Sequence, residues 1–368
     1  GMDGAGLDRS GLGQTQIVVF RKVGNRVFAA FENHRFRAVD ADPDQVNAVA
    51  ASFVSPIVWS AEATDAGADG SVTVDLSGFL ERDAVNVVSR LKRARLGTFK
   101  PAASLGYVDT AQTLVFPDNV EFQTVQTFTS DEPGGELSRV SPENRSVTLA
   151  VRHSFIRLPD EGFLPVLHDP RSGTSAQVTV TDFAADLDQP VVSRLARRFR
   201  LEKTDPSAAV STVKKPIVFY VDNGAPPEIR DALIEGASWW AQGFEAAGFK
   251  DAYRVEVLPE DAHPLDVRYN VINWVHRQTR GWSYGGSVMD PRTGEILKAN
   301  VILGSQRVRQ DRMIFEGLAG AAKTGTGAAD DPIEISLARI RQLSAHEVGH
   351  TLGIAHNFAA SGNGRASV

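Results

Sequence analysis

Residues 344–358 read SAHEVGHTLGIAHNF, and they hold three of the chain's eight histidines within eleven positions, with a glutamate directly after the first. His346 and His350 are four residues apart. On a helix that is about one turn, so both imidazoles leave the same face, and two nitrogens can reach one ion at about 2 Å. Glu347 is one position further round. It cannot chelate with the two histidines, but it can reach a water on the ion, the place of a general base. Gly353 permits the left-handed turn that must end the helix before another ligand can be brought to the same ion. His356 follows by three, placed to approach as a third nitrogen. Three protein ligands leave one position open for water, which separates catalytic from structural zinc sites. The short pattern His-Glu-x-x-His recurs by chance on many helices. The longer one fixes five positions and is far more specific.

A helix must present these residues, and a candidate runs through DPIEISLARIRQLSAHEVGHTLG, opened by Asp331-Pro332. Upstream, residues 216–221 read as a strand, and Pro226-Pro227 opens a helix that Gly248 closes. Ile229, Leu233, Ala237, Trp240 and Phe244 recur along it at helical spacing, so one face is buried. Strands are expected at 253–258 and 267–275. Residues 285–304 read as a strand, a turn at DPRTG and a returning strand. The order strand, helix, strand, strand, hairpin, helix predicts a mixed sheet with helices packed on it.

Residues from about 10 to 200 read mostly as strands. Those at 17–23 and 26–31 are split by Gly24-Asn25, a hairpin signal. Others are expected at 71–76, 113–116, 120–128 and 146–152, with turn clusters DEPGGE and SPENRS between them. One helix is expected over 80–96, closed by Gly97. Nothing in this half has the spacing of a catalytic site. Residues 204–216, TDPSAAVSTVKKP, are small, polar and proline-flanked, which suits a linker. The expected fold class is α+β, with a β-rich domain of unknown role over residues 1–205 and a site-bearing domain over 206–368.

Composition narrows the chemistry. At 368 residues the chain is long enough for two cores. A net charge of −6 points to neither nucleic acid nor anionic lipid as main partner. No apolar run approaches the roughly 20 residues of a membrane helix. The absence of cysteine excludes disulfides, thiolate metal sites, a cysteine nucleophile and a thiolate latch on a metal. The opening GMDGAG has no basic segment followed by an apolar one, so it is no signal peptide. Gly1 before Met2 reads as an addition, which leaves room for a trimmed leader. Of the other histidines, His34, His153 and His263 are expected at the surface or a strand edge, His276 in the core and His168 in a turn. Trp239, Trp240, Trp274 and Trp282 are expected in the core.

HEVGHTLGIAH matches the signature of the metzincin zinc metalloendopeptidases, His-Glu-x-x-His-x-x-Gly-x-x-His. KPIVFYVDNGAP, WWAQGFEAAGF, DPRTGEILKANV and HNFAAS further resemble a bacterial family of zinc-dependent, metzincin-like proteins. LDRSGLGQTQIVVFRKVGNRV and RRFRLEKTDP resemble that family's N-terminal domain, which carries no known chemistry. The resemblance implies a zincin-like domain with a mixed twisted sheet and an active-site helix. It implies one catalytic Zn2+ held by His346, His350 and His356, with Glu347 as base and Gly353 as turn glycine, acting on a polypeptide. It implies a substrate-pairing edge strand at Tyr284, Gly285, Gly286 and Ser287, and an exported bacterial protein. Metzincins carry a methionine turn beneath the zinc. Met2, Met289 and Met313 all precede His356, so the chain is expected to stop short of that turn. Two rival readings remain: an inactive or latent zinc-binding protein, and a zinc hydrolase of a non-peptide amide. Asp169 is a candidate for a carboxylate that inhibits the site from the N-terminal half.

Overall fold

The computed structural model describes residues 5–277 and 282–364. Gly1, Met2 and the end at Val368 lie outside them. The site rests on a five-stranded sheet in the order Tyr253–Val257, Ile217–Val221, Asn270–Val275, Ile296–Gly304, Tyr284–Met289. The first four strands are parallel and the last is antiparallel to its neighbour. Asn270–Val275 is buried at every position, and Ile296–Gly304 at nearly every one. Strands covered on both faces are expected to be largely apolar runs.

Side chains alternate across a strand, so its two faces can be assigned. On one face lie the helices Pro227–Ser238 and Pro332–Thr351. Leu233 and Ala237 of the first meet Ile340, Leu343 and Val348 of the second over Ile272, Val301 and Leu303 of the sheet. The two helices cross closely because Gly236 has no side chain: a Cβ there would lie 2.0 Å from the Arg341 carbonyl oxygen. The other face is covered by the N-terminal half. Asn300 donates to the Ser10 carbonyl at 2.7 Å, and Leu12 lies against Gly286. Arg277 grips Asp8 through two bonds of 2.9 Å, both side chains almost fully buried. Asn119 is bonded to both Leu265 and Val267.

The N-terminal half is β-rich, as expected. Val18–Val23 and Arg26–Phe31 form the hairpin about Gly24, whose φ is 62°. Ile57–Ala66 and Val72–Val74 complete that antiparallel sheet. A second sheet joins Tyr107–Val115, Asn119–Thr129 and Ser146–Ile156, longer than the runs read from sequence. A third joins Ala176–Asp182 to Val192–Ala196 and Phe36–Arg37.

Several expectations need correction. The helix read over 80–96 is two pieces, Ser77–Leu80 and Val87–Arg93. Asn86 is left-handed, with φ of 56°, and the Asp83 carboxylate accepts from the N–H groups of Val87 and Val88, starting the second piece afresh. The break lets Phe79 and Leu80 enter one core and Val87 and Leu91 another. The helix opened by Pro226-Pro227 is likewise two, with a tightened turn at Trp239, whose N–H bonds to the Gly236 carbonyl three residues back. The expected linker is tied down: Ser211–Thr212 pairs with Phe249–Lys250, and Thr204 N–H bonds to the Thr212 carbonyl. His276 is exposed rather than in the core, 2.8 Å from the Ser305 hydroxyl. Trp282 is 86% exposed. Helices Pro43–Ser52 and Gln306–Ala319 had no counterpart among the expected elements.

Candidate metal centre

The helix Pro332–Thr351 carries the first two histidines, and its start is firmly set. Pro332 occupies the first turn, where a missing N–H costs nothing. The Asp331 carboxylate accepts from the N–H groups of Ile333, Gly325 and Gly327. Two glycine-permitted contacts fix its far end. Trp240 donates its indole N–H to the Ala345 carbonyl at 2.8 Å, and its ring lies where a Cβ on Gly349 would be 2.6 Å away. From the sheet side, a Cβ on Gly285 would be 2.2 Å from the Glu347 carbonyl oxygen.

The helix ends at Gly353, with φ of 103° and its N–H bonded to the His350 carbonyl. The chain then turns back and brings His356 to the other two rings. Their Nε2 atoms form a near-equilateral triangle: His346 to His350 is 3.1 Å, His350 to His356 is 3.0 Å, and His356 to His346 is 3.2 Å. Three nitrogens each about 2 Å from one ion, at roughly tetrahedral angles, span edges of about this length. His350 Nδ1 lies 2.9 Å from the Ile354 carbonyl oxygen. A carbonyl only accepts, so Nδ1 carries the proton and Nε2 presents its lone pair to the triangle. Burial holds the His350 imidazole below its ordinary pKa, which also favours the neutral ring. Among the described residues this is the one cluster of three or more imidazole or carboxylate groups with metal-ligand spacing. The donor set is all imidazole and fits zinc.

Glu347 is 5% exposed, wedged between the helix and the strand Tyr284–Met289. Burial pushes its carboxyl up to about 7, opposed by the Gly285 N–H that donates to it. Of the four strand residues named from sequence, Gly285 and Ser287 face the histidine helix. Tyr284 and Gly286 face away, toward Asp8 and Leu12. The strand lies at the edge of its sheet.

Asp169 is not brought to the triangle. Its carboxylate accepts from the backbone and guanidinium of Arg171. His168 spans the same turn, with Nδ1 at 3.2 Å from the Thr174 hydroxyl. Sequence reasoning missed Trp240 as a support and Arg197, whose guanidinium donates to the His350 carbonyl. A glycine inside a helical pattern, Gly349, was the available sign of a close neighbour. No sequence signal marks Arg197.

Comparison with known proteins agrees with this geometry where it is specific. A Met-zincin family model matches residues 328–367, the stretch that holds the three histidines and Glu347. None of the curated proteins and none of the solved structures matches the chain. The model of a domain of unknown function (DUF5117) matches residues 10–204, more than half of the chain, and the chain belongs to that family.

Proposed function

We propose that this chain is a zinc-dependent endopeptidase of the metzincin type, with residues 206–368 as the catalytic unit. The carrying observation is the triangle of three Nε2 atoms, with a buried carboxylate one position along the same helix. His346, His350 and His356 would hold the ion. Bound zinc supplies a Lewis acid and lowers the pKa of water at the open position. Glu347 takes a proton from the attacking water and returns it to the leaving amine. The edge strand Tyr284–Met289 offers backbone groups to an extended chain. Such pairing reads chain shape rather than side chains, which favours a polypeptide substrate over a compact amide.

Metal analysis after dialysis tests the ligand assignment. One equivalent of zinc is expected in the wild type and in Glu347→Gln, and loss of it in His346→Ala, His350→Ala and His356→Ala. Zinc retained at full stoichiometry by His350→Ala, or absent from the folded wild type, contradicts the assignment.

A further inference from the structure

The last turn of the histidine helix is held by residues that lie far upstream, in the region of unknown function. Ser175 N–H donates to the Gly353 carbonyl at 2.7 Å, and Ala355 N–H donates to the Gly173 carbonyl at 2.8 Å. These reciprocal bonds close an antiparallel bridge between Thr174 and Ile354. Arg197 crosses the same place. Its Nη2 donates to the His350 carbonyl, and its Nη1 donates to Gln177 Oε1 at 3.0 Å and Ser287 Oγ at 3.4 Å. Its own carbonyl presses on Gly353, where a Cβ would lie only 2.2 Å away. Gly353 is therefore required twice, by its positive φ and by the chain that runs over it.

Arg197 is 4% exposed. A buried guanidinium is costly unless its charge is answered. It donates to a carbonyl, an amide and a hydroxyl, and the carbonyl belongs to the negative end of the histidine helix. The charge is thus set against the helix terminus that carries His350. Ile354 is the hinge of the arrangement. Its backbone pairs with Thr174, and its carbonyl fixes the His350 tautomer. The residues after it deliver His356.

We propose that the 173–177 loop and Arg197 brace the metal centre, with Arg197 as a positioning residue that sets His350 and the turn leading to His356. The region of unknown function is then part of the site. The proposal rests on the three histidines binding metal. A group bonded to the free ring nitrogen of a metal-bound histidine typically contributes about 10- to 100-fold in affinity. The Ile354 carbonyl has that place here, and Arg197 acts through the backbone beside it, so its effect is set at the lower end. Coupling between brace and metal is reciprocal, so metal binding must in turn tighten the brace.

The test uses the whole wild-type chain and zinc alone. Amide hydrogen exchange is followed across residues 173–177, with the hairpin 18–31 of the same half as internal reference. Zinc is expected to slow exchange at Ser175 selectively. Chelator competition is expected to show Arg197→Met binding zinc about 10-fold more weakly, with an altered cobalt absorption spectrum at the substituted site. Arg197→Lys, which keeps one donor, should recover part of the loss. Zinc that binds but leaves 173–177 unchanged, or slows the reference hairpin equally, overturns the brace. The exchange result decides the matter even where Arg197→Met does not fold. Failure of the wild type to bind zinc overturns the metal reading itself, a distinguishable result.

Discussion

Glycines decide the packing around the histidines, and they differ in what a methyl group would meet. Gly349→Ala would drive a Cβ into the Trp240 ring. Overpacking of this kind costs about 1–3 kcal/mol, so the urea midpoint should fall. Gly243, in the helix Trp240–Ala246, has nothing within 4 Å of the place a methyl group would take. Gly243→Ala should stabilise the fold by about 0.5–1 kcal/mol through helix propensity and raise the midpoint. Equal effects from the two substitutions would contradict the packing described here. At this scale the sequence was most legible in the histidines, because a four-residue helical spacing followed by a glycine stop leaves few ways to place three imidazoles. The same reading could not rank the glycines, since their burdens come from partners distant in the chain.

Elements with strong local signals were read well. The Asp331-Pro332 start and Gly353 stop bound the histidine helix in both sequence and structure. Asp331→Ala removes the acceptor of three N–H groups at once. It should cost about 1–2 kcal/mol, seen as an earlier thermal transition by circular dichroism. An unchanged transition would mean that the helix start is held by something else. The helix Gln306–Ala319 adds little to the core: half its residues are polar, and its one buried position is a carboxylate, Asp311, so burial gives its apolar residues little emphasis. Pro43–Ser52 has no buried residue. The break in 80–96 was hidden because both pieces contribute apolar residues, yet to two different cores.

Across the whole molecule, the two halves are joined by contacts that no local pattern announces. Asp8 and Arg277 form a buried pair, with side chains only 4% and 1% exposed. Arg9 pairs with Asp222 and also donates to the Trp274 carbonyl at 3.1 Å. Asp8→Ala removes the carboxylate that accepts two bonds from the buried Arg277 guanidinium and should cost about 3–5 kcal/mol. Replacing both by apolar residues, Asp8→Leu with Arg277→Met, should recover much of that loss in urea unfolding. A single substitution as mild as the double one would show the pair to be more hydrated than its burial implies. The sequence could not foretell that residues 8–12 lie on the sheet formed after residue 216, because such contacts depend on the path of the whole chain. Among the described residues no helix is long and apolar enough to cross a membrane.

The role proposed for Glu347 is to move protons beside a metal held by three histidines. Its most direct test is cleavage of a quenched-fluorescent peptide library by the zinc-loaded chain, in parallel with zinc-loaded Glu347→Gln. Cleavage at internal peptide bonds is expected from the wild type. A fall of about 10²- to 10⁴-fold is expected in the variant at unchanged zinc content, the usual contribution of a positioned acid–base group. Near-equal rates in the two chains, or no cleavage by a fully zinc-loaded wild type, would contradict that role.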